Sequence, residues 1–358
     1  MNEYRICGIQ QIGVGIPDLD RAFRWYRRAF GIDVPIVDDD GVAALMLPYT
    51  GGQPRARHAV MAVSMQGGAA LEIWQYKERT PQPPAFEVRV GDLGIFCPRI
   101  KARDVEAAWR ALGPERLGGE QRLAPPAADP GGEPGFFIRD PHGFPFQIVP
   151  GEGWFSRGAH RTGGVAGAMI GVSGVERSRR LYSGILGYDR VIYDREGVFD
   201  DLTCLPGGEG RFRRVLLGHS ESRRGPFSPL LGPSRLELVQ ALDRKPRRIF
   251  AERFWGDLGF IHLCFDVRGT DALKAVCEAE GFPFTVDSAE GGDFEMGEGA
   301  GRFAYVEDPD GTLVEFVEAY RLAIVKRLGW SLDLRRRPHD KALPRWMLRT
   351  LAWSRVRD

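Results

Sequence analysis

Cysteine is scarce in this sequence, and its distribution excludes a disulfide framework. The chain of 358 residues has five cysteines. Their number is odd and no two of them form a CxxC pair, so stabilising disulfides are not expected. The opening MNEYRICGIQQ also lacks the basic segment followed by an apolar segment that marks a secretory signal. These features predict a protein of the reducing cytoplasm.

Long apolar runs and an excess of charge are missing as well. No run approaches the roughly 20 apolar residues that a membrane-spanning helix needs. The 49 Lys and Arg residues nearly balance the 48 Asp and Glu residues, which argues against nucleic acid or another general polyanion as partner. Neither a nucleotide-binding loop nor a nucleophile elbow is present. A globular protein acting on a small molecule is the class that remains.

What the sequence does contain is internal repetition, and the repeated unit determines the fold. Three pairs of segments match in the same order along the chain: ALEIWQYKER with RLELVQALDR, GDLGIFCPRI with GDLGFIHLCF, and FFIRDPHG with AYVEDPDG. In the last pair, proline and glycine stand where a tight turn requires a fixed and a positive φ. Four ordered copies of one unit are therefore predicted.

Each copy has the pattern of a strand, a helix and three further strands, or βαβββ. The four modules cover residues 8–78, 90–150, 165–243 and 257–320. We predict an α+β protein with two domains, residues 1–150 and 165–320. The Gly-rich segment 151–164 has the composition of a linker between them.

The tail, residues 321–358, lies outside the repeat. It is basic and contains Trp330, Trp346 and Trp353. Residues 343–353 can form an amphipathic helix, which could lie on a membrane surface. The favoured interpretation is a helix packed against the body of the protein or a partner subunit.

The recurrent DPxG turn, together with a glutamate on the strand that follows it in the fourth module, resembles the vicinal oxygen chelate (VOC) superfamily. This superfamily includes glyoxalase I and the extradiol dioxygenases. The resemblance covers roughly residues 9–320. It implies two cup-shaped mixed β-sheets, each built from two modules, with a divalent metal ion held on a cup by up to two side chains per module.

The resemblance also assigns candidate ligand positions, one on the first strand and one on the last strand of each module. Those on the first strands lie seven residues before the helix and are Gln11, Cys97, Gly167 and His262. Those on the last strands are Glu72, Gln147, Glu237 and Glu315.

Which ligands meet depends on which modules share a cup. Pairing the first module with the fourth collects Gln11, Glu72, His262 and Glu315, a ligand set that occurs in glyoxalase I-like proteins. The other cup is then a degenerate remnant. Pairing adjacent modules leaves neither cup complete, although Glu237 would join His262 and Glu315 in a three-ligand site. We favour the crosswise arrangement and keep the adjacent one as the alternative.

The complete set implies one divalent metal ion per chain, and Zn, Ni, Co, Mn or Fe would suit these ligands. Such an ion can chelate two adjacent substrate oxygens and polarise a carbonyl, while Glu72 and Glu315 act as the catalytic carboxylates that carry a proton. The resemblance thus implies an isomerase, an epimerase or a glyoxalase-like lyase acting on a small molecule. The tail would help to enclose a bulky, apolar substrate.

Two other functions fit the same resemblance. An Fe(II)-dependent dioxygenase of this superfamily usually has two histidine ligands, whereas His262 is the one histidine at a ligand position here. A non-catalytic small-molecule binding or resistance protein would need no proton carriers. Both a monomer and a homodimer are compatible with the sequence.

Overall fold

The computed structural model describes residues 4–290, 294–296, 299–325 and 330–357 of the chain. Its elements follow the predicted βαβββ order in all four quarters, with one additional short strand, Phe294–Met296, in the fourth. The first module contains β1 (Arg5–Gly15), α1 (Leu19–Phe30), β2 (Val34–Val42), β3 (Ala56–Val63) and β4 (Ala70–Tyr76). The second contains β5 (Gly94–Ala102), α2 (Val105–Ala111), α3 (Pro114–Leu117), β6 (Ala127–Ala128), β7 (Pro134–Arg139) and β8 (Pro145–Pro150).

The second half of the chain repeats this order. The third module contains β9 (Thr162–Gly171), α4 (Val175–Arg179) with a π-helical continuation (Arg180–Ile185), β10 (Arg190–Gly197), β11 (Phe212–Gly218), α5 (Ser228–Leu231) and β12 (Arg235–Ala241). The fourth contains β13 (Gly259–Arg268), α6 (Thr270–Ala279), β14 (Val286–Asp287), β15 (Phe294–Met296), β16 (Gly299–Glu307) and β17 (Leu313–Val325). The tail adds β18 (Trp330–Asp333), α7 (Arg345–Arg349) and a 3₁₀ turn (Thr350–Ser354). None of the described helices is long and apolar enough to cross a bilayer.

The strands form two curled mixed sheets, which confirms the predicted fold class. The first sheet has the order β14-β16-β17-β13-β1-β4-β3-β2, with β15 and β18 at its side. The second sheet has the order β10-β11-β12-β9-β5-β8-β7-β6. Each is therefore built from one module of either half of the chain, the first with the fourth and the second with the third.

This is the crosswise arrangement, and the adjacent alternative is wrong because Glu237 lies in the second sheet while His262 and Glu315 lie in the first. The junction in the first sheet is the antiparallel pair β1 and β13, and the junction in the second is the antiparallel pair β5 and β9. Each sheet contains strands from both predicted domains. The division of the chain at residues 1–150 and 165–320 stays a prediction.

Local sequence explains where the helices and turns fall. Asp18 accepts a hydrogen bond from the Arg21 amide at 3.0 Å and so caps the start of α1, and Gly31 ends the helix at a φ of 65°. In the fourth-module turn, Asp308 accepts hydrogen bonds from the amides of Asp310 and Thr312, both at 2.8 Å. The predicted helix boundary and turn are thus set by side chains that are adjacent in sequence.

The helices bond to modules that are adjacent in sequence, whereas the sheets pair modules that are distant or lie across the linker. The hydroxyl of Tyr26 in α1 donates to Asp140 of the second-module turn at 2.7 Å. Likewise, the hydroxyl of Tyr182, in the helix of the third module, donates to Asp308 of the fourth-module turn at 3.0 Å. Each module is consequently bonded to one neighbour through a sheet and to another through a helix.

The main core lies on the helix-bearing faces of both sheets. Along β13, Leu263, Phe265 and Val267 are fully buried in this core. Side chains alternate along a strand, so His262 and Cys264 point to the opposite, concave face. The residues of the predicted ligand set therefore lie away from the main core.

The tail packs against the body of the protein, as the favoured interpretation expected. Leu343 and Leu348 are buried in a second apolar cluster with Val63, Phe155 and Leu230. The Leu343 amide donates to the carbonyl of Pro226 at 2.9 Å. Of the three tail tryptophans, Trp346 and Trp353 are 56% and 73% exposed, whereas residues 326–329 and the Trp330 side chain lie outside the described part. Contact with a membrane surface stays a prediction.

Replacing Leu348 by alanine tests whether the tail is held by apolar burial. Leu348 is 1% exposed, so the cavity left by Leu348→Ala should lower the free energy of unfolding by about 2–5 kcal/mol. Trp346→Ala in the same helix removes a larger but exposed side chain and should change it by less than about 0.5 kcal/mol. Denaturant unfolding of both variants gives the comparison. Equal effects would mean that the tail is not docked as described.

Candidate metal centre

Four side chains of the first sheet meet on its concave face, and they are the four that the sequence singled out for the crosswise cup. Nε2 of His262 lies 3.2 Å from Oε2 of Glu72 and 3.1 Å from Oε2 of Glu315. The amide nitrogen of Gln11 lies 3.3 and 3.4 Å from the same two carboxylate oxygens. We refer to Gln11, Glu72, His262 and Glu315 as the metal centre.

The convergence depends on the curvature of the sheet. Glu72 is on β4 and Glu315 is on β17, and β1 and β13 lie between those strands. Three strand spacings separate the two backbones by about 14 Å in a flat sheet. Curling and the length of the glutamate side chain bring both carboxylates to one imidazole nitrogen. A divalent ion could be held there, because one ligand atom each from Glu72, His262 and Glu315 lie within 4.8 Å of one another.

A glycine creates the space for the imidazole. Gly13 is directly opposite His262 in the pairing of β1 with β13. A Cβ atom at residue 13 would lie 2.8 Å from Nδ1 and 2.9 Å from Nε2 of His262, well inside van der Waals contact. The absence of a side chain at Gly13 therefore allows the histidine to lie flat on the sheet, where its Nε2 reaches both carboxylates.

The electrostatics of the metal centre favour a cation. Burial alone would lower the pKa of His262, but the Glu315 and Glu72 carboxylates outweigh it and raise that pKa to about 10. In the protein without metal, the imidazole therefore carries a proton whose charge balances part of the two carboxylates. A ligand histidine must lose that proton, so a bound metal ion would replace one cation by another.

Buried polar atoms without hydrogen-bond partners indicate that these residues fit a metal ion. Among the described residues, the buried Oε1 of Gln11 and both ring nitrogens of His262 have no hydrogen-bond partner of good geometry. Buried polar atoms are rarely left without a partner. The amide oxygen and nitrogen of a glutamine exchange places by rotation of the amide group. Gln11 can thus offer its oxygen on the side of the carboxylates.

Two residues outside the predicted ligand set border the metal centre, and the sequence analysis missed Tyr305. Tyr305 of β16 is opposite Glu315 in the pairing of β16 with β17. Burial, followed by the charges of Glu315 and Glu72, raises the pKa of its phenol well above the usual value, so the hydroxyl stays a proton donor. The ring of Trp255 lies parallel to His262 at 6.0 Å. Tyr305 could have been found by pairing the last two strands of the fourth module residue by residue, whereas no sequence pattern places Trp255 beside His262.

Apolar clusters flank the metal centre on both sides. On β4, Ala70 belongs to the apolar cluster that includes the tail, and Trp74 belongs to a third cluster with Trp255 and Tyr305. Glu72 lies between Ala70 and Trp74 on the same face of the strand. Both carboxylates of the centre keep about 9% of their side-chain area exposed, while His262 is fully enclosed.

The second sheet has an arginine where the first has its ligands. Arg214 is fully buried, and its guanidinium donates to Glu237 at 2.7 Å and to Asp201 at 2.6 Å. Burial alone would raise the pKa of Glu237, but Arg214 and Arg99 lower it below the usual value. At Gly167 a side chain would overlap the carbonyl oxygen of Arg235. The one carboxylate at a ligand position of this cup is thus neutralised from within the protein.

The other two predicted positions of this cup, Cys97 and Gln147, offer no charged ligand. Burial, more than any other effect, raises the pKa of the Cys97 thiol, so it is an inert buried thiol. Gln147 is buried, and within the described residues its Oε1 has no hydrogen-bond partner. In the same part of the chain, Glu72, His262 and Glu315 are the one such group of three possible ligands.

Comparisons with known proteins agree with this architecture. Residues 8–148 match the sequence profile of the Glyoxalase/Bleomycin resistance protein/Dioxygenase superfamily. Glyoxalase I from Zea mays is similar in structure over 88% of this chain and 92% of its own, with 15% identity and a TM-score of 0.53. A candidate dioxygenase from Bacillus subtilis subsp. subtilis str. 168 is similar over 88% of this chain and 86% of its own, with 13% identity and a TM-score of 0.54.

At these identities, the structural similarity shows the fold alone. No curated protein matches the sequence of this chain.

Gly13→Ala tests the space that the imidazole requires. The added methyl group would overlap His262, so we expect a loss of about 1–3 kcal/mol of stability from overpacking, together with weaker metal binding. Gly184→Ala is the matched control, because a Cβ atom there meets nothing within 4 Å. Thermal unfolding and equilibrium dialysis against a divalent metal measure both effects. A Gly13→Ala variant that matches the control would show that His262 has room to move.

The number of metal ions per chain tests the difference between the two sheets. We expect one tightly bound equivalent in protein purified without added metal, and none in His262→Ala, which lacks the imidazole ligand. Cys97→Ala and Gln147→Ala should keep the equivalent, because their cup already contains the Arg214 cation. Elemental analysis of the four proteins gives the count. Two tightly held equivalents in the parent protein would contradict this interpretation.

Proposed function

We propose that the chain is a metal-dependent enzyme of the Glyoxalase/Bleomycin resistance protein/Dioxygenase superfamily, whose profile matches residues 8–148, and that it moves a proton beside a substrate carbonyl. It acts as an isomerase, an epimerase or a glyoxalase-like lyase. The observation that carries the proposal is the pair of carboxylates, Glu72 and Glu315, held within 3.2 Å of one imidazole nitrogen.

In this proposal, Gln11, Glu72, His262 and Glu315 hold one divalent ion, and Zn, Ni, Co, Mn and Fe all suit these ligands. When bound, such an ion supplies Lewis acidity to a carbonyl oxygen. His262 serves as a ligand with no proton-transfer role, because it is fully enclosed. Its orientation is set by Gly13 beneath the ring and by Trp255, which lies parallel to it.

The carboxylates carry the proton. Glu72 and Glu315 stand on opposite sides of the β1–β13 junction, so they can face opposite sides of a substrate that lies over it. One carboxylate accepts the proton from the carbon beside the carbonyl, and the same or the other carboxylate returns it to a neighbouring atom. Tyr305, whose pKa is raised by burial and by the charge of Glu315, remains protonated and can donate a hydrogen bond to that carboxylate.

The walls of the cup suit a substrate with an apolar portion. The metal centre lies between the cluster of Val63, Ala70 and Leu348 and the cluster of Trp74, Trp255 and Tyr305. Apolar walls with a few converging polar groups are typical of small-molecule sites. We therefore expect a substrate with adjacent oxygens on the metal side and an apolar group against one of the clusters.

An oxygenase is the rival within the superfamily. Non-haem Fe(II) oxygenases commonly use two histidines and one carboxylate as iron ligands, whereas the metal centre has one histidine and two carboxylates. This composition favours proton transfer, since it places more bases at the site than an iron triad needs.

Deuterium exchange distinguishes the two reactions. In D2O, the enzyme should place deuterium on the carbon next to the substrate carbonyl unless the carboxylates are shielded from solvent, and turnover should proceed without dioxygen. Glu72→Gln and Glu315→Gln should each lower kcat by about 10²-fold or more, because each removes a base. Glu133→Gln, a change at a partly exposed carboxylate of the second sheet, is the control. Turnover that stops under nitrogen and returns with air would refute the proposal.

A further inference from the structure

A groove on the exposed side of α1 is lined mostly by hydrogen-bond donors. It has a volume of about 460 Å³, and its walls include Arg21, Arg24 and Arg28 of α1, Arg139 of β7 and Asp140 of the turn that follows. It lies outside the metal centre, whose residues face the concave side of the first sheet. A volume of this size falls within the range of small-molecule sites.

The arginines of α1 share one face of the helix. Arg21, Arg24 and Arg28 follow the spacing of three and four residues that stacks side chains above one another. Like charges in this arrangement repel and destabilise a helix. Within the described part of the chain, the side chains of Arg21, Arg24 and Arg139 take part in no hydrogen bond or ion pair. The fold thus places several guanidinium groups together and leaves three of them without an anion.

The one carboxylate of the groove does not neutralise them. Oδ1 of Asp140 accepts the amides of His142 and Phe144 at 2.9 Å, and Oδ2 accepts the hydroxyl of Tyr26 at 2.7 Å. Both of its oxygens are therefore occupied by the turn and by α1. The groove is lined by four guanidinium groups and one carboxylate, so it carries an excess of positive charge. The whole chain, in contrast, has a net charge of only +1.

A buried donor in the same wall also lacks an acceptor. The Trp25 side chain lines the groove and is 5% exposed. Among the described residues, its Nε1–H has no hydrogen-bond partner. Because buried donors are normally paired, this indole is a second sign that the wall lacks acceptors.

We propose that this groove is a second binding site, for a small ligand that carries two or more phosphoryl groups. Guanidinium groups bind phosphoryl oxygens through paired, charge-assisted hydrogen bonds. The phosphoryl oxygens of such a ligand can engage Arg21, Arg24 and Arg139, and the ligand brings the acceptors that the wall lacks. The proposal is independent of the reaction assigned to the metal centre.

Calorimetric titration of the full-length protein with inorganic pyrophosphate tests this site. We expect saturable binding of one equivalent. The double variant Arg21→Ala, Arg24→Ala should bind at least about tenfold more weakly, because it removes two charge-assisted contacts. The double variant Arg195→Ala, Arg224→Ala removes the same charge from two exposed positions elsewhere and should bind within about twofold of the parent. Unchanged melting temperatures would confirm that both variants are folded.

Four results would overturn the proposal. No saturable binding at about 1 mM pyrophosphate would exclude a specific site. Equal weakening of pyrophosphate binding in the two double variants would show that the ligand is attracted by the overall positive charge and not by the groove. Loss of binding in His262→Ala would show that pyrophosphate is held at the metal centre, since that substitution leaves the groove intact. Tighter binding of citrate than of pyrophosphate would overturn the phosphoryl assignment.

Discussion

The pairing of β1 with β13 is the constraint on which the rest of the structure depends. It joins residues 5–15 to residues 259–268 and so brings a glutamine of the first module beside a histidine of the last. The register is as important as the pairing, because it places Gly13 opposite His262. A slip of one residue would turn the histidine toward the apolar core and replace the glycine beneath it by a branched side chain.

The two sheets solve one electrostatic problem in different ways. In each cup, curling brings buried carboxylates toward the centre, and a buried carboxylate needs a compensating cation. In the second sheet, Arg214 supplies this charge through hydrogen bonds to Glu237 and Asp201. In the first sheet, none of the described arginines and lysines bonds to the metal centre, and a proton on His262 compensates. A proton can be exchanged for another cation, whereas a covalently attached guanidinium cannot leave.

The sequence was sufficient to predict the modules, which depend on short-range signals, and the superfamily resemblance then implied which four residues would meet in the first sheet. The boundary of α1 is set by Asp18 and Gly31, and the DPxG turns are built by neighbouring residues. The candidate ligands could be counted from those boundaries within each repeat.

What could not be predicted depends on side chains that are distant in sequence. Arg214 stands at the centre of the second cup, yet no motif distinguishes it from the exposed arginines of a basic segment. The groove on α1 also includes Arg139, more than a hundred residues from Arg21. Trp255 precedes the fourth module and reaches His262 only through the tertiary fold. These positions follow from the packing of modules against one another, about which a repeat pattern carries no information.

The crosswise sheet has a consequence for how the protein is made. One edge of β1 is covered by β4 of its own module, but the other is covered by β13, which leaves the ribosome some 250 residues later. At about 5–20 residues per second, that edge stays open for roughly 12–50 seconds of synthesis. An uncovered strand edge is a template for pairing with other chains. The four residues of the metal centre can therefore meet only after this interval, when the last module has been synthesised.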